Sequence, residues 1–108
     1  MKKVEKIAVI LSTVSDEKAA ARIARALLKN KSAACVNIIP KIRSIYSWQG
    51  KVCDEKEALL VIKTSKRKVD ETIRLIKSVH PYEVPEIIAI DVSKGWPDYL
   101  RWVADSTG

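Results

Sequence analysis

The stretch His80-Pro81-Tyr82-Glu83-Val84-Pro85-Glu86 gathers an imidazole, a phenol and two carboxylates on one short connection. Each proline restricts its own backbone and that of the residue before it. The pair therefore holds a stiff, extended segment and fixes where His80, Tyr82 and Glu86 point. Polar groups on a rigid support suit the wall of a binding cleft. His80 also has a purely structural reading: at the negative end of a helix, an imidazole satisfies last-turn carbonyls. It is the only histidine, and one imidazole does not anchor a multi-histidine metal site.

Patterns that carry catalysis are absent from the sequence. Glycine occurs only at positions 50, 95 and 108, which excludes a glycine-rich phosphate loop. There is no Cys-x-x-Cys and no His-x-x-x-His, and no spacing pairs a nucleophile with a base. The chain reads as a non-enzymatic protein.

The elements that hold these residues follow from periodicity. At 108 residues, 47% hydrophobic and 31% charged, the chain is expected to fold as one globular domain over residues 1–108. The run Ile7 to Leu11 reads as a strand covered on both faces. Ser15 is placed to cap a helix with Asp16 and Glu17 in its first turn, and Ala20, Ile23, Ala24 and Leu27 form its inner stripe. Ala33 to Trp48 alternates with period two, a long half-buried strand that lies at an edge or bends at Pro40. Gln49-Gly50 turns the chain back into Val52 to Thr64, with its apolar run Ala58 to Ile62. Ser65 is placed to cap a second helix whose inner stripe is Val69, Thr72, Ile73, Ile76 and Val79 or His80, and Pro81 ends it. Glu86 to Val92 is a fourth strand, and Pro97 starts a terminal helix. The order βαββαβ plus a helix predicts an α+β fold of the ferredoxin-like kind, with the first and third strands central.

The hairpin is too long for this frame. Ala33 to Trp48 spans about 50 Å when extended, against roughly 35 Å for a compact domain of this length. Its far half still carries Ile42, Ile45, Tyr46 and Trp48. Apolar edge strands are hazards unless paired, so self-association in closed symmetry is expected. With Trp48 opposite Lys51, Cys35 falls near Thr64 and about 30 Å or more from Cys53, so no disulfide joins them.

The net charge of +7 reads as a lysine-rich solvated surface, with an anionic partner as the sharper alternative. Basic residues are dense only in Lys63-Thr64-Ser65-Lys66-Arg67-Lys68. The central strands carry no aromatic on which to stack bases, so no specific nucleic-acid binding is expected. No apolar run nears the roughly 20 residues of a membrane span. The basic start, Met1 to Lys6, leads into an apolar stretch too short for a signal-peptide core. A cytoplasmic protein without membrane association is expected.

Several segments resemble, in order, the CutA divalent-cation tolerance family: Ala33 to Pro40, Ser44 to Lys51, Lys63-Thr64, His80 to Glu86, and Pro97-Asp98-Tyr99-Leu100-Arg101-Trp102. The resemblance covers about residues 7–106. It implies a ferredoxin-like homotrimer paired through long strands and similar in architecture to the PII-type regulators, whose ligands bind between subunits. It further implies a role in tolerance of divalent cations, copper among them. The candidate site is then an intersubunit cleft holding Lys63, Trp48, Tyr82 and Glu86, suited to a small anionic ligand or a divalent cation. Lys63 and Glu86 could equally form an interface ion pair. His80 and Glu86 are the candidate metal ligands, for Cu(II) or another divalent cation. Copper-binding relatives place a cysteine after the first strand, where this chain has Ser12, and a His-His pair where it has Val79-His80. Losing the thiolate weakens Cu(I) affinity most. The alternative reading is an interaction or anchoring scaffold, or a PII-like signalling trimer with no metal role; animal relatives are associated with anchoring acetylcholinesterase.

Overall fold

The computed structural model describes residues 5–108; the first four residues of the basic start lie outside the described part. Four strands, β1 (Ile7–Val14), β2 (Cys35–Trp48), β3 (Lys51–Ser65) and β4 (Ile87–Asp91), form one sheet in the order β2-β3-β1-β4. All neighbours are antiparallel. Helices α1 (Glu17–Lys29) and α2 (Val69–Val79) connect the strands, and α3 (Pro97–Ser106) ends the chain. This is the expected α+β ferredoxin-like order, with β1 and β3 central.

One face of the sheet makes the core. Ile10 and Val14 of β1 and Ala58, Leu60 and Ile62 of β3 pack with Ala20, Ile23 and Leu27 of α1 and Ile76 of α2. Burying each of the larger side chains stabilises the fold by about 1.5–3 kcal/mol. A shared acceptor adds a polar clamp. The Thr64 hydroxyl donates to the Ser32 carbonyl at 2.6 Å, and the Thr72 hydroxyl shares its one proton between that carbonyl at 2.9 Å and the Lys68 carbonyl at 2.8 Å, tying β3 and α2 to the end of α1.

Two expected helix caps move. Asp16, not Ser15, caps α1; its carboxylate accepts from the Ala19 N–H at 2.8 Å and complements the positive helix end. Ser65 caps no helix with its side chain. Its hydroxyl lies 2.6 Å from that of Thr107 beyond α3, and a 3₁₀ turn over Lys66–Lys68 precedes α2. The densest basic run is held within the chain. Lys63 bonds Asn37, Lys66 pairs with Asp91, Arg67 reaches the Thr107 carbonyl, and Lys68 pairs with Glu71.

The hairpin projects, giving the molecule extents of 54 × 26 × 22 Å. Trp48 faces Lys51 across a turn in which Gln49 and Gly50 both take positive φ. The even alternation expected over Ala33–Trp48 does not run through. Ile39 pairs with Leu59 but Ile42 with Glu57, so one extra residue bulges at Pro40-Lys41. Proline has no N–H for the ladder, which places the bulge there. Cys35 consequently faces Lys63, one position from the expected Thr64. Both cysteines are free.

Candidate functional site

The bulge decides what the hairpin presents. Before it, Cys35, Asn37 and Ile39 share a face with Leu59, Val61 and Lys63; after it, Ile42, Ser44, Tyr46 and Trp48 share that face with Glu57, Glu55, Cys53 and Lys51. This is the side of the sheet away from α1 and α2. Without the extra residue, strand alternation would turn Ser44, Tyr46 and Trp48 to the opposite side.

Under this half of the hairpin lies a cavity of about 730 Å³, bounded by the hairpin, by Thr13 and by the segment from Tyr82 to Glu86. Trp48 and Tyr46 supply aromatic surface, and Glu55, Glu57, Glu83 and Glu86 supply carboxylates. The Tyr82 hydroxyl donates to Glu57 Oε2 at 2.8 Å. Burial pushes the Tyr82 phenol well above its ordinary value, and the bond to Glu57 and the charges of Glu57 and Glu55 push it further. Tyr46 is pushed up to about 12 by burial and then by Glu55 beside it. Arg43 also lines the cavity, but its guanidinium is held bidentately by Asp54, at 2.9 and 2.6 Å.

His80 anchors the stiff segment. The Tyr82 N–H donates to its Nδ1 at 3.1 Å, so Nδ1 is the acceptor and Nε2 carries the proton. Nε2 then donates to the Thr13 carbonyl at 2.9 Å. The bond crosses to β1 rather than returning to last-turn carbonyls, because His80 is extended beyond the end of α2. His80 turns inward while Val79 stays exposed. The imidazole thus uses both nitrogens to fasten Tyr82 over the cavity.

The expected site residues divide. Trp48, Tyr82 and Glu86 line one cavity. Lys63 lies six residues along β3 from Glu57, about 20 Å away at strand rise, where its ammonium meets Asn37. His80 stands behind Tyr82, their ring centroids 4.9 Å apart. Ser12 lies inside β1 rather than after it, on the helix-covered side, with a buried hydroxyl that has no hydrogen-bond partner among the described residues. Among the described residues, no three His, Cys, Asp or Glu side chains form a group able to hold a metal ion. Sequence reasoning missed Glu57, Glu55 and Tyr46. Their signal was the pairing of Ile42 with Glu57, which requires the bulge to be placed.

This hairpin, joint and topology recur in known proteins. The family described as CutA1 divalent ion tolerance protein matches residues 8–106, and the chain belongs to it. The divalent-cation tolerance protein CutA of Thermus thermophilus is 44% identical over 100 residues, covering 93% of this chain and 97% of that protein. Protein CutA of Mus musculus is 48% identical over 95 residues, covering 88% of this chain; the chain spans only 54% of that longer protein. The periplasmic divalent cation tolerance protein CutA of Archaeoglobus fulgidus has a solved structure matching with a TM-score of 0.91 at 34% identity, covering 94% of this chain and 99% of that one.

Proposed function

We propose that the chain works as a non-enzymatic homotrimer in the cell's response to divalent cations, with its cavity at the rim of the subunit contact. The observation that carries this reading is the sheet face without a helix layer. Val9, Leu11, Leu59 and Val61 are only half-buried there, and Ile39, Ile88 and Ile90 are exposed. Contiguous apolar surface of this kind calls for a partner, and closed symmetry among copies also pairs the projecting strands. The names of the relatives support the cation role. Lys63, on this same face, would meet a neighbouring copy, where it either joins the cleft and its anionic ligand or pairs with Glu86. Cu(II) or another divalent cation at His80 and Glu86 belongs to the proposal, and His80 joins by releasing the Tyr82 N–H. We place this activity in the cytoplasm; no described helix is long and apolar enough to cross a membrane.

Sedimentation equilibrium at micromolar protein should return three chains, and a monomer would sink the proposal. Cu(II) titration should show weak binding that His80→Ala removes. A scaffold reading draws on α3, where Tyr99 and Trp102 stack at 5.7 Å and, with Trp96, remain exposed. It predicts a trimer indifferent to every divalent cation tested.

A further inference from the structure

The net charge of +7 is not spread evenly over the molecule. Residues 16–31 and 66–77, which hold α1, the 3₁₀ turn and α2, carry ten lysines and arginines against four acids; the rest of the chain carries ten against nine. The helix layer therefore holds nearly all of the excess. Within it, Lys18, Arg22, Arg25 and Lys29 recur at spacings of four, three and four along α1. With 3.6 residues per turn and 1.5 Å of rise, they fall within about 60° of arc and form a line about 16 Å long. All four are exposed. Among the described residues, none of them pairs with a carboxylate. Arg74 and Lys77 of α2, exposed and equally unpaired there, widen the basic layer.

Folding gives no reason for this line. Like charges three or four residues apart repel along a helix, and the stripe contains three such pairs in succession. Lys18 also stands in the first turn, at the positive end of the helix dipole. A helix stabilised by its own surface charges interleaves acids, yet α1 has none from Lys18 to Lys29. The counter-charge must come from outside. Duplex DNA presents one phosphate per 3.4 Å of axis on each strand, so about five phosphates pass the line of four cations. Lipid fits less well. The helix buries Ala19, Ala20, Ile23, Ala24 and Leu27 in the core, leaving no apolar face to enter a membrane. Single strands are held by stacking on aromatic side chains, and α1 has none.

We propose that the outer face of α1 holds the phosphate backbone of duplex DNA without regard to base sequence. This face lies on the opposite side of the sheet from the open apolar one. It stays accessible whether or not copies associate, and it rests neither on the cleft nor on metal binding.

The test is fluorescence anisotropy of a short labelled duplex titrated with the purified protein, repeated from about 50 to 200 mM salt. Four neutralised phosphates give a slope of about −3.6 in log affinity against log salt, so wild type should lose affinity about 150-fold over that range. The double variant Arg22→Gln, Arg25→Gln removes two contacts; its slope should fall to about −1.8 and its loss to about tenfold. Glutamine keeps a helix propensity close to that of arginine, and circular dichroism and sedimentation check fold and assembly. The double variant Lys51→Gln, Lys94→Gln makes the same change in net charge away from the helix layer and should keep the wild-type slope. A duplex of unrelated sequence should bind equally well. Absence of saturable binding by wild type at the lowest salt overturns the proposal. So does a slope that the second pair lowers as far as the first, since overall charge rather than α1 then does the binding. Phosphatidylserine vesicles that need Arg22 and Arg25, beside a duplex indifferent to them, would assign the face to membranes and also overturn it.

Discussion

The two faces of the central strands carry almost the same apolar residues and meet different fates. On the helix-covered face, Ala8, Ile10, Val14, Leu60 and Ile62 are fully buried. On the other, Val9, Leu11, Leu59 and Val61 are neighbours in the same strands, yet only half-buried. The chain supplies one helix layer. Its third helix covers just one end of the second face, where Val103 and Ala104 pack on Ile7. A hydrophobic pattern therefore reports that a face is meant to be covered, without saying whether the cover lies in the same chain. The second face also continues into the acidic cavity, so the two share one border.

The comparison breaks most visibly with a charge on the open face. Val61→Asp places a carboxylate where other copies are proposed to pack, at a penalty on the order of several kcal/mol for a buried, unpaired ion. Sedimentation should show the assembly falling to single chains that retain their secondary structure by circular dichroism. Intact trimers would show that this face is not the contact.

The covered face should respond within the chain. Leu60→Ala opens a void in the fully buried core and should cost about 2–5 kcal/mol, read from the denaturant midpoint. A cost no larger than that of an exposed substitution would remove the distinction between the faces.

The border between face and cavity should show the smallest effect. Tyr82→Phe takes the hydroxyl from Glu57 and should cost about 1–3 kcal/mol. It should also change the alkaline limb of stability. The folded Tyr82 phenol lies above its unfolded value of 10.0, so the unfolded chain loses its proton first. The contribution is present below that value and is lost as pH rises from there through the folded value. Tyr46, pushed up to about 12, acts in the same direction. Unfolding measured across alkaline pH should decline less steeply in Tyr82→Phe than in wild type. Identical profiles would deny Tyr82 its buried, anion-flanked setting.

The sequence by itself determined the element order, the central places of β1 and β3, the inner stripe of α1, and the hairpin turn with Trp48 opposite Lys51. Each rests on local periodicity or turn chemistry, which neighbouring residues fully specify. The excess length of the hairpin was legible for the same reason, since strand rise is fixed. Tertiary structure decided what alternation cannot carry. A single extra residue at Pro40-Lys41 reversed the facing of Ser44, Tyr46 and Trp48, because side-chain direction has period two and any insertion inverts it. Distant partners assigned a hydroxyl and the imidazole: Thr107 took Ser65 and Thr13 took His80. The site divided by the same logic. Within one chain, Trp48, Tyr82 and Glu86 met because a stiff joint folds over the hairpin, whereas Lys63 lies far along the same strand as Glu57, because an extended strand cannot shorten the distance between its own residues; the intersubunit cleft expected for Lys63 would draw it from a second copy.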